Sequence, residues 1–389
     1  MTVLPRTLLA GACALALMAG QAFAFDTRAK AAFVMDQTTG TVLMAKRADD
    51  ALPPASMSKL MTLYIAFEAV RNGRLRLDEE LRVSQHAMDY AGSTLFLKAG
   101  ERVTVDDLLH GIIVLSGNDA CVVIAEALSP DGTEDGFARL MTQRAQQLGM
   151  TNSTFKNSNG WPAQGHAMSM RDLVLLARRI IEDFPEFYPM FSQAEFLFDE
   201  TESQNRYNRN PLLGLGIGAD GLKTGHTQEA GYGLVGSAKQ GERRVIFAIT
   251  GLDSAKARAE ESESIVNWAF RQFAQQTIVT KDKAIASADI WLGAEDSVGL
   301  MAEKDVTLLL PLATPGGLKA EVVYTGPVEA PVKQGQQLAE LIISPEGLPE
   351  TRVPLFAQDA VEAGGFMDRM MTVSKNLLAR LQSQPEETM

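Results

Sequence analysis

The spacing of apolar and polar positions along this 389-residue chain changes several times, and each change predicts a different element. Residues 30–46 hold two apolar runs that turn at Thr38-Thr39-Gly40, which predicts a β-hairpin. After Ser56, apolar residues recur at helical spacing until Asn72-Gly73, which predicts a helix that ends there. From about residue 105 to residue 186 the pattern is mostly helical.

Later segments return to β-like patterning. A run that contains Lys223 leads into two further runs, residues 231–238 and 244–251, and a helix is predicted over residues 260–275. We therefore expect the early and late strands to share one antiparallel sheet, with helices on its faces and the helical region inserted between them. Beyond residue 277 the chain consists of short β-like runs broken by glycine and proline, which predicts a separate small all-β domain.

The N-terminal segment has the pattern of a cleaved signal peptide. Arg6 precedes an apolar stretch over residues 8–19, and Ala22-Phe23-Ala24 gives a small-x-small cleavage pattern. We predict removal of residues 1–24 and therefore an exported protein. The competing interpretation is a permanent N-terminal membrane anchor. Export after cleavage would leave Cys121 as the single cysteine, so no internal disulfide is expected.

The C-terminal segment is amphipathic. On a helical wheel one face of ~160°, at ~100° per residue, is apolar, and it comprises Phe366, Met367, Met370, Met371, Val373, Leu377, Leu378 and Leu381. The segment is too polar to span a bilayer and suits the membrane interface. The alternative is a helix that docks on the protein or on a dimer partner. The predicted organisation is thus 1–24 signal peptide, 25–276 α+β domain, 277–362 all-β domain and 363–389 amphipathic helix and tail.

The amino-acid composition argues against several classes of function. With 46% hydrophobic residues the chain can bury substantial cores, and its net charge of −12 argues against nucleic-acid binding. The four histidines, at positions 86, 110, 166 and 226, show no metal-ligand spacing, and no glycine-rich phosphate loop appears. We expect no metal and no cofactor.

Three short motifs carry the candidate chemistry. They are Ser56-Met57-Ser58-Lys59, Ser116-Gly117-Asn118 and Lys223-Thr224-Gly225, in that order. A serine hydroxyl needs an adjacent base and an oxyanion pocket to act as a nucleophile. Ser56 and Lys59, three residues apart on a first helical turn, face the same way. The trio therefore predicts an active-serine acyl-transfer site that uses lysine as its base.

Each motif alone is weak. Ser153-Thr154-Phe155-Lys156 also fits the first motif, and Ser203-Gln204-Asn205 and Ser374-Lys375-Asn376 fit the second. Context excludes Ser153, because it lies in a polar, asparagine-rich stretch that is typical of a loop. By itself, Ser56 is most simply a helix-starting serine; the ordered trio reverses that interpretation.

The chain resembles the low-molecular-weight penicillin-binding proteins, specifically serine-type D-alanyl-D-alanine carboxypeptidases of the penicillin-binding protein 5 type. The resemblance covers nearly the whole chain after the signal peptide. It is carried by residues 54–62, 116–121, 149–153, 157–160 and 220–227. It implies the penicillin-recognising serine-peptidase fold, α+β with a helical subdomain, followed by the all-β domain and the terminal helix.

The resemblance implies a peptidoglycan stem pentapeptide ending in D-Ala-D-Ala as substrate, and β-lactams as covalent inhibitors. Ser56 would attack the carbonyl between the terminal D-alanines, and Lys59, its pKa lowered by burial and by the second amine, would take the serine proton. Ser116 would relay protons between Lys223 and the leaving amine. Asn118 would orient Lys59 and hold the substrate amide.

Further residues are implied in substrate binding. Thr224 would bind the terminal carboxylate, and the backbone N–H groups of Ser56 and His226 would form the oxyanion hole beside Gly225. Arg258 matches the family arginine that helps bind the carboxylate, against the alternative of a solvated arginine at a helix start. Arg209 is a weaker candidate of the same kind. The segment Gly92-Ser93-Thr94 cannot be aligned residue by residue and is left out of the catalytic set.

Two rival functions remain open at this point. A serine β-lactamase shares the three motifs, but no Glu-x-x-Leu-Asn element supplies a deacylating glutamate, and such an enzyme has no use for the β domain and terminal helix. A non-catalytic cell-wall binding protein is disfavoured because every motif residue needed for chemistry is present. The resemblance implies a periplasmic protein attached peripherally to the outer face of the cytoplasmic membrane.

Overall fold

The computed structural model describes residues 25–198, 200–202, 204–312, 318–345 and 350–365. The predicted signal peptide and residues 366–389 of the predicted terminal helix lie outside the described residues. The chain divides into two units, the first ending at Arg271 and the second beginning at Gln272. The composition of the sequence predicts this boundary between residues 276 and 277 instead.

The elements of the first unit follow the predicted order. Its strands are β1 (Ala31–Asp36), β2 (Val42–Lys46), β3 (Glu80–Arg82), β4 (Arg102–Thr104), β5 (Ala219–Thr227), β6 (Gly231–Gln240) and β7 (Arg243–Leu252). Its α-helices are α1 (Lys59–Arg71), α2 (Gln85–Met88), α3 (Val105–His110), α4 (Asn118–Leu128), α5 (Glu134–Gln147), α6 (Met170–Asp183) and α7 (Ala255–Gln272). Short 3₁₀ turns span Ala55–Ser58, Tyr188–Ser192 and Glu200–Glu202, and one π turn spans Gly111–Leu115.

A five-stranded antiparallel sheet in the order β2-β1-β7-β6-β5 forms the centre of this unit. The predicted hairpin pairs Phe33 with Ala45, and Phe33 also lies opposite Ala248 of β7. Strands from both ends of the unit therefore share one sheet, and the helical region from α1 to α6 is inserted between β2 and β5. This is the predicted α+β arrangement.

Both faces of the sheet are covered, which explains why β1 is buried at every position. Phe33 and Met35 join the core that contains the α1 and α6 side chains, whereas the alternate residue Val34 packs with Ile265 and Val266 of α7. Successive strand residues point to opposite faces. A strand covered on both faces reads as a continuous apolar run.

The second unit is all β, as predicted. Its strands are β8 (Phe273–Val279), β9 (Ala284–Trp291), β10 (Ser297–Met301), β11 (Val306–Pro311), β12 (Lys319–Tyr324), β13 (Val328–Glu329), β14 (Gln337–Ser344) and β15 (Thr351–Ala357). Six form a sheet in the order β12-β14-β15-β10-β9-β13, and β8 pairs with β11. The buried core of this unit includes Ile290, Leu300, Ile343 and Leu355.

The predicted end of the last helix is wrong by three residues. The helical spacing extended to Gln275, but α7 ends at Gln272 and Phe273 begins β8. Ala274 and Gln275 lie opposite Leu310 and Leu309 of β11, so strand pairing satisfies their backbone groups. Among the helices of the described residues, none combines the length and apolar character needed to cross a bilayer.

Candidate active site

Ser56 lies in the 3₁₀ turn that immediately precedes α1. A 3₁₀ turn has three residues per turn, so side chains at i and i+3 eclipse one another. Lys59 is accordingly in line with Ser56, and Lys59 Nζ lies 2.9 Å from Ser56 Oγ. Ser56 is only partly buried, whereas Lys59 is inaccessible to solvent. The Ser56 hydroxyl is therefore accessible to a substrate, whereas the Lys59 amine is buried behind it.

Lys59 Nζ has two further partners besides Ser56. It lies 2.7 Å from Asn118 Oδ1 and 2.5 Å from the carbonyl oxygen of Asn159. Both are oxygen acceptors, so both take N–H groups of the amine. A neutral amine has two N–H groups and one lone pair. The two acceptors therefore turn the lone pair of neutral Lys59 toward the Ser56 hydroxyl.

Burial makes the neutral form of Lys59 accessible. Desolvation lowers the pKa of Lys59 to about 8, and the positive charge of Arg209 acts in the same direction. No carboxylate forms an ion pair with Lys59 among the described residues. A base with a pKa near neutrality is suited to take a proton and return it.

Ser116 is held in an unusual backbone conformation. The π turn Gly111–Leu115 ends at Ser116, which adopts the left-handed region with φ 63°. Such a conformation is uncommon for a residue with a side chain and is typical of functional sites. Glycine at the next position leaves room for Leu95, because a Cβ on Gly117 would lie 2.2 Å from Leu95 Cδ1 and displace that side chain. The serine, the glycine and the helix start at Asn118 form one rigid corner.

Lys223 reaches this corner from β5. Its Nζ lies 2.9 Å from Ser116 Oγ and donates to the carbonyl oxygen of Thr224 at 3.2 Å. Burial lowers the pKa of Lys223 well below its usual value, and the charge of Lys59 lowers it further. Because the charge of Lys59 influences the pKa of Lys223, the Ser56–Lys59 and Ser116–Lys223 pairs form one electrostatically coupled site.

Gly225 lets β5 approach the Ser56 turn. A Cβ at this position would lie 3.0 Å from Met57 Cγ and 3.0 Å from the carbonyl oxygen of Pro54. Thr224 is buried beside it, and His226 is exposed and stacks on Tyr232 with 3.8 Å between the ring centroids. Among the strands of the described residues, β5 is an edge strand, so one of its sides has no strand partner.

Arg258 and Arg209 lie together near the two lysines. Arg258 is 9% exposed, donates from Nη2 to the carbonyl oxygen of Arg209 at 3.3 Å, and its Nε has no partner among the described residues. Its charge contributes to the lowered pKa of Lys223. A buried guanidinium with an unpaired N–H is prepared for an anion. Arg209 is exposed and donates to Ser93 Oγ.

The segment that could not be aligned lies at the site. The backbone N–H of Asn118 donates to the carbonyl oxygen of Ser93, and Asn118 Nδ2 donates to that of Ala91, both at 2.7 Å. The loop is fixed in turn by the buried carboxylate of Asp119, which accepts from the backbone N–H groups of Leu95 at 2.9 Å and Leu97 at 3.2 Å. These supports were not identified in the sequence.

Asn159 is the other contributor that the sequence analysis missed. The sequence analysis gave the stretch 157–160 no role, and a backbone carbonyl carries no side-chain signature that could have revealed one. Glu134 at the start of α5 positions this stretch, accepting from the backbone N–H of Ser158 at 2.9 Å and from its Oγ at 2.6 Å.

Cys121 lies on α4, close enough to Lys59 and Lys223 for their charges to influence the pKa of its thiol. It is fully buried, and desolvation raises the pKa of its thiol to about 12. A thiol in that environment stays protonated and unreactive. Within the described ranges, no group of three or more histidine, cysteine, aspartate or glutamate side chains is arranged to hold a metal ion.

The fold and this pair of serine–lysine contacts define an active-serine acyl-transfer enzyme. The chain matches the sequence profile described as D-alanyl-D-alanine carboxypeptidase over residues 18–254, and that described as penicillin-binding protein 5, C-terminal domain, over residues 273–363. It is 35% identical to the D-alanyl-D-alanine carboxypeptidase DacC of Escherichia coli strain K12, with 94% of each chain covered. The chain belongs to the family of D-alanyl-D-alanine carboxypeptidases.

Solved structures support the same assignment. Penicillin-binding protein 5 from Haemophilus influenzae is similar with a TM-score of 0.71 and 30% identity, over 87% of this chain and 99% of that one. The ampicillin-bound form of penicillin-binding protein D2 from Listeria monocytogenes matches with a TM-score of 0.57 and 32% identity, over 64% of this chain and 100% of that one. The predicted family, fold class and enzyme class are therefore confirmed.

Proposed function

We propose that this protein removes the terminal D-alanine from peptidoglycan stem pentapeptides through an acyl-enzyme on Ser56. The observation that carries the proposal is the position of Lys59 Nζ between Ser56 Oγ, Asn118 Oδ1 and the Asn159 carbonyl oxygen. Ser56 Oγ attacks the carbonyl carbon of the penultimate D-alanine, and its proton passes to neutral Lys59. The product of this addition is a tetrahedral oxyanion.

Ser116 and Lys223 serve the second half of acylation. When the C–N bond breaks, the leaving amine takes the proton of Ser116 Oγ, and Lys223 returns a proton to Ser116 across their 2.9 Å contact. In the free enzyme the pKa of Lys223 is lowered. A bound substrate carboxylate raises it again, because an opposite charge favours the ammonium form. After D-alanine leaves, the proton on Lys59 is transferred to neutral Lys223, so that Lys59 is again neutral. Lys59 then takes a proton from the attacking water and gives it to Ser56 Oγ as the ester bond breaks, which restores the serine.

The remaining predicted residues bind the substrate. Thr224 and Arg258 hold the terminal carboxylate, with Arg209 as a second cation beside them. One Nδ2 hydrogen of Asn118 is used by Ala91, which leaves the other for the substrate amide. The backbone N–H groups of Ser56 and His226 stabilise the oxyanion, with Gly225 allowing β5 to lie close.

Two measurements test this proposal. Ser56→Ala abolishes release of D-alanine from a pentapeptide ending in D-Ala-D-Ala, and mass spectrometry of the intact protein after benzylpenicillin shows no adduct. Ser153→Ala is the matched control, because Ser153 also precedes a lysine by three residues but bonds to Asp172 Oδ2 at 2.7 Å instead. It keeps both the activity and the adduct. Unchanged D-alanine release by Ser56→Ala removes the mechanism.

The same experiment separates the β-lactamase alternative. A carboxypeptidase forms a long-lived penicillin adduct on Ser56, whereas a β-lactamase turns penicillin over rapidly. The ampicillin-bound form of the Listeria monocytogenes relative supports β-lactam binding by this chain. Rapid steady-state hydrolysis of penicillin without D-alanine release would favour the lactamase.

We further propose a periplasmic location with peripheral attachment to the membrane through residues 363–389. The amphipathic pattern of that segment and the predicted signal peptide support this. A chain ending at residue 362 should move from the membrane fraction to the soluble fraction and retain D-alanine release. Replacement of Met370 and Leu377 by glutamine in the full chain should have the same effect. Equal membrane association of all three proteins would contradict the anchor.

A further inference from the structure

A cavity lies beside the 3₁₀ turn that carries Ser56. It has a volume of about 560 Å³, and Ala55, Gly160 and Thr227 line it. Each of these is the chain neighbour of a site residue: Ser56, Asn159 and His226 respectively. Ser116, Lys223 and Arg258, which face the departing D-alanine and its carboxylate, do not line it. The cavity is therefore placed for the acyl side of the substrate.

The walls of this cavity are largely carbon. Pro53, Pro54, Ala163 and the half-exposed ring of Trp161 contribute to them. Trp161 is fixed by its backbone N–H, which donates to Asn159 Oδ1 at 2.9 Å, and by its carbonyl oxygen, which accepts from Asn157 Nδ2 at 2.8 Å. An aromatic side chain beside prolines favours an aliphatic chain that packs against it.

Glu229 provides the charge of the cavity. It lies in the turn between β5 and β6, which is fixed by the Ala230 N–H donating to Thr227 Oγ1 at 3.0 Å. Its carboxylate is exposed and forms no hydrogen bond or ion pair with the described residues. Of the residues that the structure describes, no lysine, arginine or aspartate lines the cavity. Burial lowers the pKa of His166, the other titratable lining residue, to about 4, so it is neutral at pH 7.

We propose that this cavity binds the residue preceding the two D-alanines, and that Glu229 selects an aliphatic side chain ending in an ammonium group. The inference rests on the proposed function, because it assigns the cavity to the acyl part of that substrate. The carbon walls bury the methylene groups, and the ammonium group stays at the mouth beside the carboxylate. The selection acts on substrate binding and leaves the acylation chemistry to Ser56 and Lys59.

Two peptides test the selection. They are Nα-acetyl-lysyl-D-Ala-D-Ala and its norleucyl counterpart, which keeps the aliphatic chain and lacks the ammonium group. We expect the wild-type enzyme to prefer the lysyl peptide in kcat/KM by about three- to fivefold at low salt, the size of an exposed ion pair. The preference shrinks in high salt, because salt screens exposed charges.

Variants at position 229 attribute the preference to its carboxylate. Glu229→Gln brings the ratio of the two kcat/KM values to about one without changing kcat/KM for the norleucyl peptide, and Glu229→Lys favours the norleucyl peptide. Glu242→Gln is the matched control. Glu242 is also an exposed glutamate in a hairpin turn, at the opposite end of β6, and its loss keeps the wild-type ratio.

The possible outcomes distinguish this inference from the proposed function. Release of D-alanine from both peptides with a wild-type ratio of one, or a preference that Glu229→Gln leaves unchanged, overturns the selection and leaves the carboxypeptidase intact. Release from neither peptide overturns the proposed function itself. A preference lost in Glu229→Gln and kept in Glu242→Gln supports the inference.

Discussion

Gly160 approaches Ala55 so closely that a Cβ at position 160 would lie 1.9 Å from the Ala55 carbonyl oxygen. Its φ of +84° also lies in the left-handed region, which residues with a Cβ rarely adopt. Ala55 precedes Ser56, and Gly160 follows Asn159, whose carbonyl oxygen accepts from Lys59. This contact therefore fixes Ser56 and the acceptor of the Lys59 amine, the proposed nucleophile and a partner of its proposed base, relative to one another.

Gly160→Ala should consequently damage both stability and activity. The added methyl group forces the Ser56 turn and the 157–160 stretch apart, at a cost of about 2–3 kcal/mol in the free energy of unfolding. We expect kcat/KM for D-alanine release to fall more than about tenfold, as a displaced base loses its alignment. Urea unfolding and steady-state kinetics measure the two effects.

Gly149→Ala is the control for backbone strain alone. Gly149 has a φ of +89°, and the nearest atom to its Cβ would be Leu175 Cδ2 at an ordinary 3.8 Å. This variant should lose about 1 kcal/mol of stability and keep its activity. Equal kinetic losses in both variants would show that the Gly160 contact has no special role.

The pKa of Lys59 predicts the pH dependence of acylation. Its value of about 8 means that the amine is increasingly neutral as pH rises toward 8 and mostly neutral above it. A neutral Lys59 is the form that accepts the Ser56 proton, so kcat/KM should rise about tenfold per pH unit on the acid side and level off above about pH 8. Kinetics from about pH 6 to about pH 9 measure this limb. A profile that falls with pH over this range would contradict Lys59 as the base.

Arg258 should act on substrate binding through the terminal carboxylate. Arg258→Gln removes a buried guanidinium whose Nε is unpaired, and we expect about a ten- to hundredfold loss in kcat/KM for peptides with a free C-terminal carboxylate. The loss should be much smaller for the corresponding peptide amide. Arg271→Gln, an exposed arginine on the same helix, serves as the control. Equal losses for acid and amide would assign Arg258 a structural role instead.

His166 should make the protein sensitive to acid. Burial lowers its pKa to about 4, whereas an unfolded chain has the ordinary value of 6.5. Between these values the unfolded state binds more protons, so the free energy of unfolding falls as pH falls from about 6.5 to about 4, by up to about 3 kcal/mol in all.

His166→Gln should reduce this acid dependence. Glutamine offers an oxygen to the Lys156 N–H, which now donates to His166 Nδ1 at 3.3 Å, and it has no group that titrates in this range. Urea unfolding at about pH 4.5 and about pH 7 should show a smaller difference for the variant than for the wild type. The same difference in both proteins would contradict the prediction.

The sequence predicted most of the fold because its signals are local. The spacing around Ser56 and the asparagine–glycine pair at 72–73 identified α1, and the continuous burial of β1 and of most of β7 follows from their apolar runs. The end of α7 was missed because Phe273 suits a helical face as well as a strand. Pairing with β11, a segment distant in sequence, decides between them.

The sequence predicted the side chains of the candidate site. It did not predict the backbone groups that position those side chains. Ser56, Lys59, Ser116 and Lys223 have chemical identities that a motif records. The Asn159 carbonyl oxygen and the backbone of the 91–97 loop act through groups that every residue possesses. Their contribution depends only on where the chain passes, so three-dimensional structure is required to find them.

The position of β1 in the sheet has a consequence for the folding of the enzyme during its synthesis. This first strand pairs with β7, the last strand of its unit, and the segments bearing Ser56 and Lys223 lie on opposite sides of the long helical insertion. A nascent chain that stops short of β7 lacks the strand that joins β1 to β6 and β5, so the segments that carry Ser56 and Lys223 have no common sheet. Assembly of the site is thereby delayed until synthesis has passed residue 252 of 389.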